Sequence, residues 1–477
     1  RRRPGRPRPL TLARLSWRPR AFRRMVPPMS LDLATLGRLI EQCDPKEPLP
    51  GHSPLYIPLD QDPPVRGEQA CINVLRRTIL RAQQRSTCQL FTGFPGTGKT
   101  TELRRLAARI TEAPPPEGGH VLYIDCEEYI HRFSTVSVTD VLTVITYCVA
   151  READRLERVE TAHGEVYLRK LFDSIRKTLP TNAHLQPKFE LYGLNLMLEL
   201  RNNRTIHDEV EEALRRRFQD FVDECHQEIA RGIQRIRRAV GSRADRFVII
   251  ADGIEKITPL NESQREQIEG SIESLFVAHG DFLRIPSCHV IYTFPVWLRF
   301  RSAELGNAYA CEPLTLPMVK THERAGAAYE PGLDKLYQMV ARRLEDPTQV
   351  FGPDAKAAMR PILEASGGYP RDVLRIVRSL LQNEEQFPVA PARIERAIRN
   401  VRQTYHDIVV GTDASLLKQV ADTHQIPSDD RDRLRQFGHL FSRFLVLAYR
   451  NGEEWFDLHP LVRKAPALVS RLGRDAP

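Results

Sequence analysis

Gly93-Phe94-Pro95-Gly96-Thr97-Gly98-Lys99-Thr100 is the stretch on which the reading of this chain turns. It fits the pattern G-x-x-x-x-G-K-[ST] at every fixed position. Its flanks fit as well. The apolar residues 88–92 read as a strand leading in, and residues 100–110 read as a helix leading out. Glycines let backbone N–H groups close around phosphate oxygens with no Cβ in the way. The helix N-terminus behind them presents the positive end of its dipole. Lys99 is placed to reach the β- and γ-phosphates, and Thr100 to give its hydroxyl to magnesium. Gly93 to Thr101, Thr101 included, are therefore candidate nucleotide-binding residues, with Mg2+ as the accompanying ion.

Outward from this loop, three more apolar runs read as strands: 120–125 (H-V-L-Y-I-D), 246–252 (R-F-V-I-I-A-D) and 288–293 (C-H-V-I-Y-T). Near-continuous apolar runs suit parallel strands covered on both faces. Strands alternating with helical stretches predict a doubly wound α/β sheet. Before the loop, Arg66-Gly67-Glu68 opens an amphipathic segment with Cys71, Val74, Leu75, Ile79 and Leu80 on one helical face. Between the second and third strands lies an insertion at about residues 130–245. In it Val210, Leu214, Phe218, Phe221, Val222, Cys225, Ile229, Ile233, Ile236 and Val240 recur every three or four residues. That periodicity predicts one long helix, either in a projecting hairpin that meets a partner or packed on its own domain. Residues 301–400 read as mainly helical, broken by Ser366-Gly-Gly-Tyr-Pro-Arg371, which starts a helix running through Leu380. The last segment reads as helices near 413–423 and 428–440, then a strand at 444–450. Asn451-Gly452 makes a tight turn, and a return strand follows at 453–458. Helices followed by a hairpin predict a winged-helix module.

The chain has 477 residues, enough for about three domains, and ordinary globular proportions, 41% hydrophobic and 27% charged. No apolar run approaches the ~18 residues of a membrane span. The net charge of +9 invites a nucleic-acid reading, but ten arginines crowd residues 1–24 without an acid. Removing them leaves the rest near neutral, so the basic balance belongs to a tail. The tail reads in three ways: sequence upstream of a start at Met25 or Met29, a disordered basic arm, or a transit peptide, though serine is scarce. Eight scattered cysteines with no C-x-x-C pair fit reduced, mostly buried thiols of a cytoplasmic protein. The expected layout is a basic tail at 1–30, a Pro-rich lead-in at 31–65 and a nucleotide domain at 66–300. A helical lid at 301–410 and a winged helix at 411–477 follow.

Asp252 ends an apolar strand, where an acid can hold the magnesium shell with Thr100. The next acid is Glu255, in Asp252-Gly-Ile-Glu255, a candidate to orient an attacking water. The alternative for Glu255 is a surface acid at a helix start.

Together these motifs resemble the AAA+/STAND branch of P-loop ATPases, of the NACHT-like or origin-recognition-like kind. Arg66-Gly67-Glu68 resembles the G-R-E box ahead of the nucleotide domain, with Arg and Gly exchanged. Asp252-Gly-Ile-Glu255 resembles the D-G-h-[DE] form of STAND ATPases. Thr293 ends the fourth strand, where AAA+ proteins place a polar sensor residue. Gly367-Gly-Tyr-Pro-Arg371 resembles the G-x-P motif of STAND lids and the second-sensor segment of origin-recognition-like ATPases. The resemblance covers roughly residues 60–465 and implies a P-loop NTPase sheet with a long helical insertion, an all-α lid and a C-terminal winged helix. It implies ATP as the nucleotide, held between core and lid, with Arg371 on the γ-phosphate and lid closure reporting nucleotide state. Arg299, Arg301 and Arg324 are candidates for an arginine supplied in trans. His459-Pro460 resembles a nucleotide-sensing histidine near the wing, or is a packing histidine. The D-x-x-E spacing departs from rapid hydrolases, and no WD, TPR or leucine-rich array follows the wing.

Three functions compete. The first is a slowly hydrolysing ATP switch in signalling or regulated assembly, meeting a protein partner or itself through the helical insertion. The second is a DNA-binding ATPase of the origin-recognition or transposition-helper type. The segment 428–440 holds Arg431, Arg433 and Arg435 but also Asp429, Asp430 and Asp432, a mixture poor for phosphate contacts. The third is a nucleotide-binding scaffold without turnover. No H-E-x-x-H, nucleophile elbow or nuclease-like acidic cluster points to other chemistry.

Overall fold

The structure, a computed structural model, describes residues 30–158, 166, 202–215, 217–302, 304–426, 430–466 and 468–469. Its centre is a sheet of five parallel strands. They are β1 Cys88–Gly93, β2 His120–Asp125, β3 Phe247–Asp252, β4 His289–Thr293 and β5 Leu314–Leu316, in the order β2-β3-β4-β1-β5. The first four stand where the apolar runs predicted. β5 lies in a stretch expected to be mainly helical. At three residues it is too short to print a period, and it exists by pairing with β1 from Phe91↔Leu314 to Gly93↔Leu316.

Strand alternation sends successive side chains to opposite faces. Phe91, Val248, Ile250 and Ile291 go to one side, against helices α2 (Cys71–Arg81) and α3 (Lys99–Glu112); α1 is Leu33–Gln42 in the lead-in. Leu90, Ile249, Val290 and Tyr292 go to the other, against α4 (Val138–Glu157) and the insertion. On α2 the buried residues are Cys71, Ile72, Leu75 and Ile79, so Ile72 takes the place expected for Val74 and Leu80, which are half-buried.

The single long helix expected at 210–240 is two: α5 (Arg204–Arg215) and α6 (Phe218–Val240). Arg217 caps α6 outside helical backbone angles. α6 lies along α4 and buries Phe221, Val222, Cys225, Ile229, Ile233 and Ile236 in the chain's own core. Its apolar stripe is therefore spent on its own domain, not on a projecting hairpin. Much of the insertion before Arg204 lies outside the described residues. So do the basic tail and the residues Ser428 and Asp429.

After α7 (Glu262–Glu273) and the short α8 (Leu298–Arg301) comes the lid. It comprises α9 (Glu330–Leu344), α10 (Pro347–Phe351), α11 (Ala355–Ala365), α12 (Pro370–Asn383) and α13 (Pro391–His406). α1 packs on α9 and α12, so the lead-in belongs with the lid. Pro370 sits in the first turn of α12, where its missing N–H costs nothing. The winged helix is α14 (Ala414–Thr423), α15 (Arg431–Ser442) and the antiparallel pair β6 (Val446–Asn451) and β7 (Glu453–Leu458). Gly452 closes the turn at φ 74°. This is an α/β P-loop fold with a helical lid and a winged helix. No described helix is long and apolar enough to cross a membrane.

Ile236 is fully buried at the α4–α6 seam. Ile236→Ala should lower stability by about 2–5 kcal/mol, read as a fall in the urea midpoint at unchanged slope.

Candidate nucleotide-binding site

The glycine-rich loop is shaped by backbone conformations that only glycine takes without strain. Gly96 and Gly98 have φ of 89° and 98°, and Gly98 caps α3 in the left-handed region. Lys99 folds back into the loop: its Nζ donates to Gly93 O at 2.9 Å and Phe94 O at 3.2 Å. Thr97 Oγ1 donates to Phe94 O at 2.8 Å. Thr101 accepts from the Leu49 N–H at 3.1 Å, which pins the lead-in strap to the loop. Phe94 points the other way, into the lid and wing, with its ring 4.2 Å from that of Phe441.

The acids arrive from β3. Asp252 Oδ2 accepts from Thr100 Oγ1 at 2.7 Å and from the Tyr123 hydroxyl at 2.6 Å. Its Oδ1 is buried with no hydrogen-bond partner among the described residues. A buried carboxylate oxygen left unmatched beside a threonine hydroxyl is the donor set a magnesium ion takes, so Thr100 and Asp252 fit that ion. Burial and the neighbouring Glu255 raise the Asp252 pKa, against the pull of Tyr123, Thr100 and Lys99. Glu255 is not a surface acid. Its side chain is 4% exposed and stands 3.3 Å from Lys99 Nζ. Burial pushes its carboxyl up, but Lys99 and Thr293 outweigh that, so its pKa is lowered. Thr293 Oγ1 accepts from the Gly253 N–H at 2.9 Å, and Glu255 Oε2 takes the same N–H at 3.2 Å. Thr293 thus fixes the turn that carries both acids.

The lid closes the other side. The Tyr369 hydroxyl donates to Pro95 O at 2.5 Å. Arg371 lies directly over the loop, so near that a Cβ at Gly96 would meet its Nε at 2.3 Å. That Nε is buried without a hydrogen-bond partner among the described residues. Arg66 NH2 donates to Thr97 O at 2.8 Å. The result is a cleft of about 1000 Å³ lined by loop, strap, lid and wing, into which Lys99, Thr100, Glu255 and Arg371 all face. Arg299 is paired with Glu454, Arg301 with Glu269 and Glu273, and Arg324 with Thr423 O. The candidates for an arginine supplied in trans are thus each held within their own chain. His459 does not line the cleft.

Four residues escaped the sequence reading. Tyr123 sits two places before a strand end, and Tyr369 lies inside the Gly-Gly-Tyr-Pro-Arg segment, both near motifs that drew notice. Asp60 and Glu102 left no signal. They are buried with Arg66 behind the loop, and Glu102 accepts from the Tyr56 hydroxyl at 3.0 Å.

No protein-family model matches the sequence, and no curated protein does. Solved structures are similar in outline. The Aeropyrum pernix ORC1 protein in complex with DNA is 13% identical, over 84% of this chain and 92% of that one, with a TM-score of 0.35. A Walker-type ATPase of Pyrococcus abyssi is 12% identical, over 87% and 99%, with a TM-score of 0.38. Drosophila ORC bound to DNA is 11% identical, over 94% and 95%, with a TM-score of 0.35. Likenesses this slight carry no argument beside the geometry.

Burial, followed by Asp60, pushes the Glu102 carboxyl up to about 7 from its ordinary 4.5. A carboxyl whose folded pKa is raised favours folding while protonated. That contribution is present below the unfolded value and is lost as pH rises through the folded one. Glu102→Gln cannot ionise. Its Tm relative to the parent should therefore rise between pH 4.5 and about 7, as followed by thermal denaturation.

Proposed function

We propose that this chain is an AAA+-type ATPase that binds ATP with magnesium in the cleft and uses nucleotide state to hold lid and winged helix against the core. One observation carries the reading: Lys99, Thr100 and Glu255 from the core and Arg371 from the lid all face one cleft, with Asp252 behind Thr100. In this reading Lys99 turns from the loop carbonyls to the β- and γ-phosphates. Thr100 and Asp252 hold the cation, which when bound neutralises charge on the phosphate oxygens. Glu255, an anion fixed by Thr293 and Gly253, orients water in line with the γ-phosphate. Its lowered pKa suits an orienting anion better than a strong proton acceptor. Arg371 brings the lid's charge to the γ-phosphate, so closure depends on which nucleotide is present.

The partner is a finer question. Two of the structures similar in outline are of origin-recognition proteins with DNA. The winged helix makes the DNA-binding alternative the first to test, ahead of a signalling ATPase of the STAND kind. Here the hairpin is docked. Arg450 lies against Gly67, and Gly452 lies beside Glu68. α15 buries Phe437, Leu440 and Phe441. A duplex would meet the wing only after undocking, or would meet another face, so DNA affinity should depend on nucleotide.

Lys99→Ala should abolish ATP binding by calorimetry; unchanged affinity would remove the assignment. Glu255→Gln should keep ATP binding and lose at least about 100-fold in turnover, the low end for general acid–base groups. Equal turnover would make Glu255 structural. Duplex binding should fall steeply between about 50 and 200 mM salt and differ between ATP and ADP. Binding that is absent in both states would return the search to a protein partner.

A further inference from the structure

Behind Arg371, on the side of α12 away from the cleft, is a buried polar cluster that the ATPase reading does not use. Asp372 and His459 are almost wholly buried, and Asp372 Oδ2 lies 3.2 Å from His459 Nε2, off line for a hydrogen bond. The same Oδ2 accepts from the Tyr405 hydroxyl at 2.7 Å. The Tyr405 ring stacks on His459 with centroids 4.4 Å apart. His459 Nδ1 accepts from the Leu461 N–H at 3.2 Å, which places the neutral ring's proton on Nε2, toward Asp372. The His459 backbone is itself anchored, its N–H donating to Leu445 O at 3.0 Å. One carboxylate in the first turn of a lid helix thus accepts from a lid tyrosine, and a wing histidine stacked on that tyrosine stands against it.

The segment just before it is tied to the same module. Tyr449 donates its hydroxyl to Gly367 O, and Tyr369 stacks on Phe444 at 5.4 Å. A Cβ at Gly367 would collide with Pro460. Tyr369 then reaches forward to Pro95 O in the phosphate loop. Residues 367–372 therefore touch the wing on one side and the loop on the other, with Arg371 between.

We propose that His459 is a positioning residue for Arg371. By packing against Asp372 and against Tyr405, the donor to its carboxylate, it sets the rotation of the first turn of α12, so the aim of Arg371 into the cleft depends on the winged helix being docked. This rests on the reading that Arg371 answers to the γ-phosphate. It differs from direct nucleotide sensing, since His459 faces Asp372 and Tyr405 and no phosphate site. It also differs from simple packing, which would stabilise the fold without regard to nucleotide.

The test is the ratio of ATP to ADP affinity in the full chain, for the parent, Arg371→Ala, His459→Ala and the double variant, with Tm measured without nucleotide. Each single change should reduce the ratio by about 5- to 100-fold, the usual span of couplings between sites. The double variant should fall no further, because both act through one group. Asp372→Asn, which keeps the volume, must give the same reduced ratio and serves where His459→Ala does not fold. A ratio unchanged by both His459→Ala and Asp372→Asn, or losses that multiply in the double variant, would overturn the positioning role. A ratio unchanged by Arg371→Ala would overturn the reading of the site itself, and this proposal with it.

Discussion

A lysine ammonium kept inside a protein must be matched, and the architecture around Lys99 follows from that requirement. Removing a cation from water is costly unless opposite charge and acceptors replace the solvent. Lys99 is 4% exposed and is matched by two loop carbonyls and the Glu255 carboxylate. The match fixes the glycine-rich loop, because the carbonyls of Gly93 and Phe94 must turn inward. It fixes the turn after β3, because Glu255 reaches the ammonium only if Gly253 takes φ 99° and Thr293 holds its N–H. The D-x-x-E spacing is thus the geometry of a buried ion pair. On the proposed reading, a triphosphate in the cleft would compete with the carbonyls and with Glu255 for the same ammonium, so filling the site would free the acid as it engages the lysine.

The second consequence is mechanical. Phe94 belongs to the phosphate loop by sequence, but its ring is buried in the core that joins lid and wing, among Phe441, Phe444 and Tyr369. Densely packed aromatic groups do not deform gradually; they repack or stay. A shift of the loop therefore has to be answered by lid and wing together. Gly368 makes this tighter still. Its φ is 83°, and a Cβ there would lie 1.7 Å from Val319 O, in the connection between sheet and lid.

Much of this was legible because it depends on local rules. The phosphate loop, four strands, the acid at Asp252 and the proline-started helix at Pro370 each follow from short-range chemistry, whereas Thr293 was singled out only by the resemblance. β5 was not legible: three residues carry no period, and only pairing with β1 makes them a strand. The 210–240 stripe showed a helix face but not what covers it, since periodicity is the same whether the cover is α4 or a partner. The buried place of Glu255 was equally hidden, because exposure depends on Lys99, which is distant in sequence. Asp60 and Glu102 meet only after the strap folds over α3, and a Pro-rich strap gives no pattern to read.

The docked wing bears on what the molecule can recognise. Its hairpin rests on Gly67 and Glu68, and Arg299 of the core pairs with Glu454 of the hairpin at 2.9 Å. Nearby, Arg265 and Arg301 converge on Glu269, which His439 of α15 also approaches at 3.7 Å. These contacts are largely polar and partly exposed, so each is worth little alone. The apolar seam of Phe300, Phe437 and Phe441 beneath them supplies most of the adhesion. A ligand shifts such an equilibrium only by its difference in affinity for the two states. On the proposed reading ATP differs from ADP by a γ-phosphate that would lie beneath Arg371, and Arg371 is next in sequence to Asp372, whose carboxylate lies 3.2 Å from His459 of the wing. If Arg371 answers to that phosphate, nucleotide state and wing position meet within one helical turn.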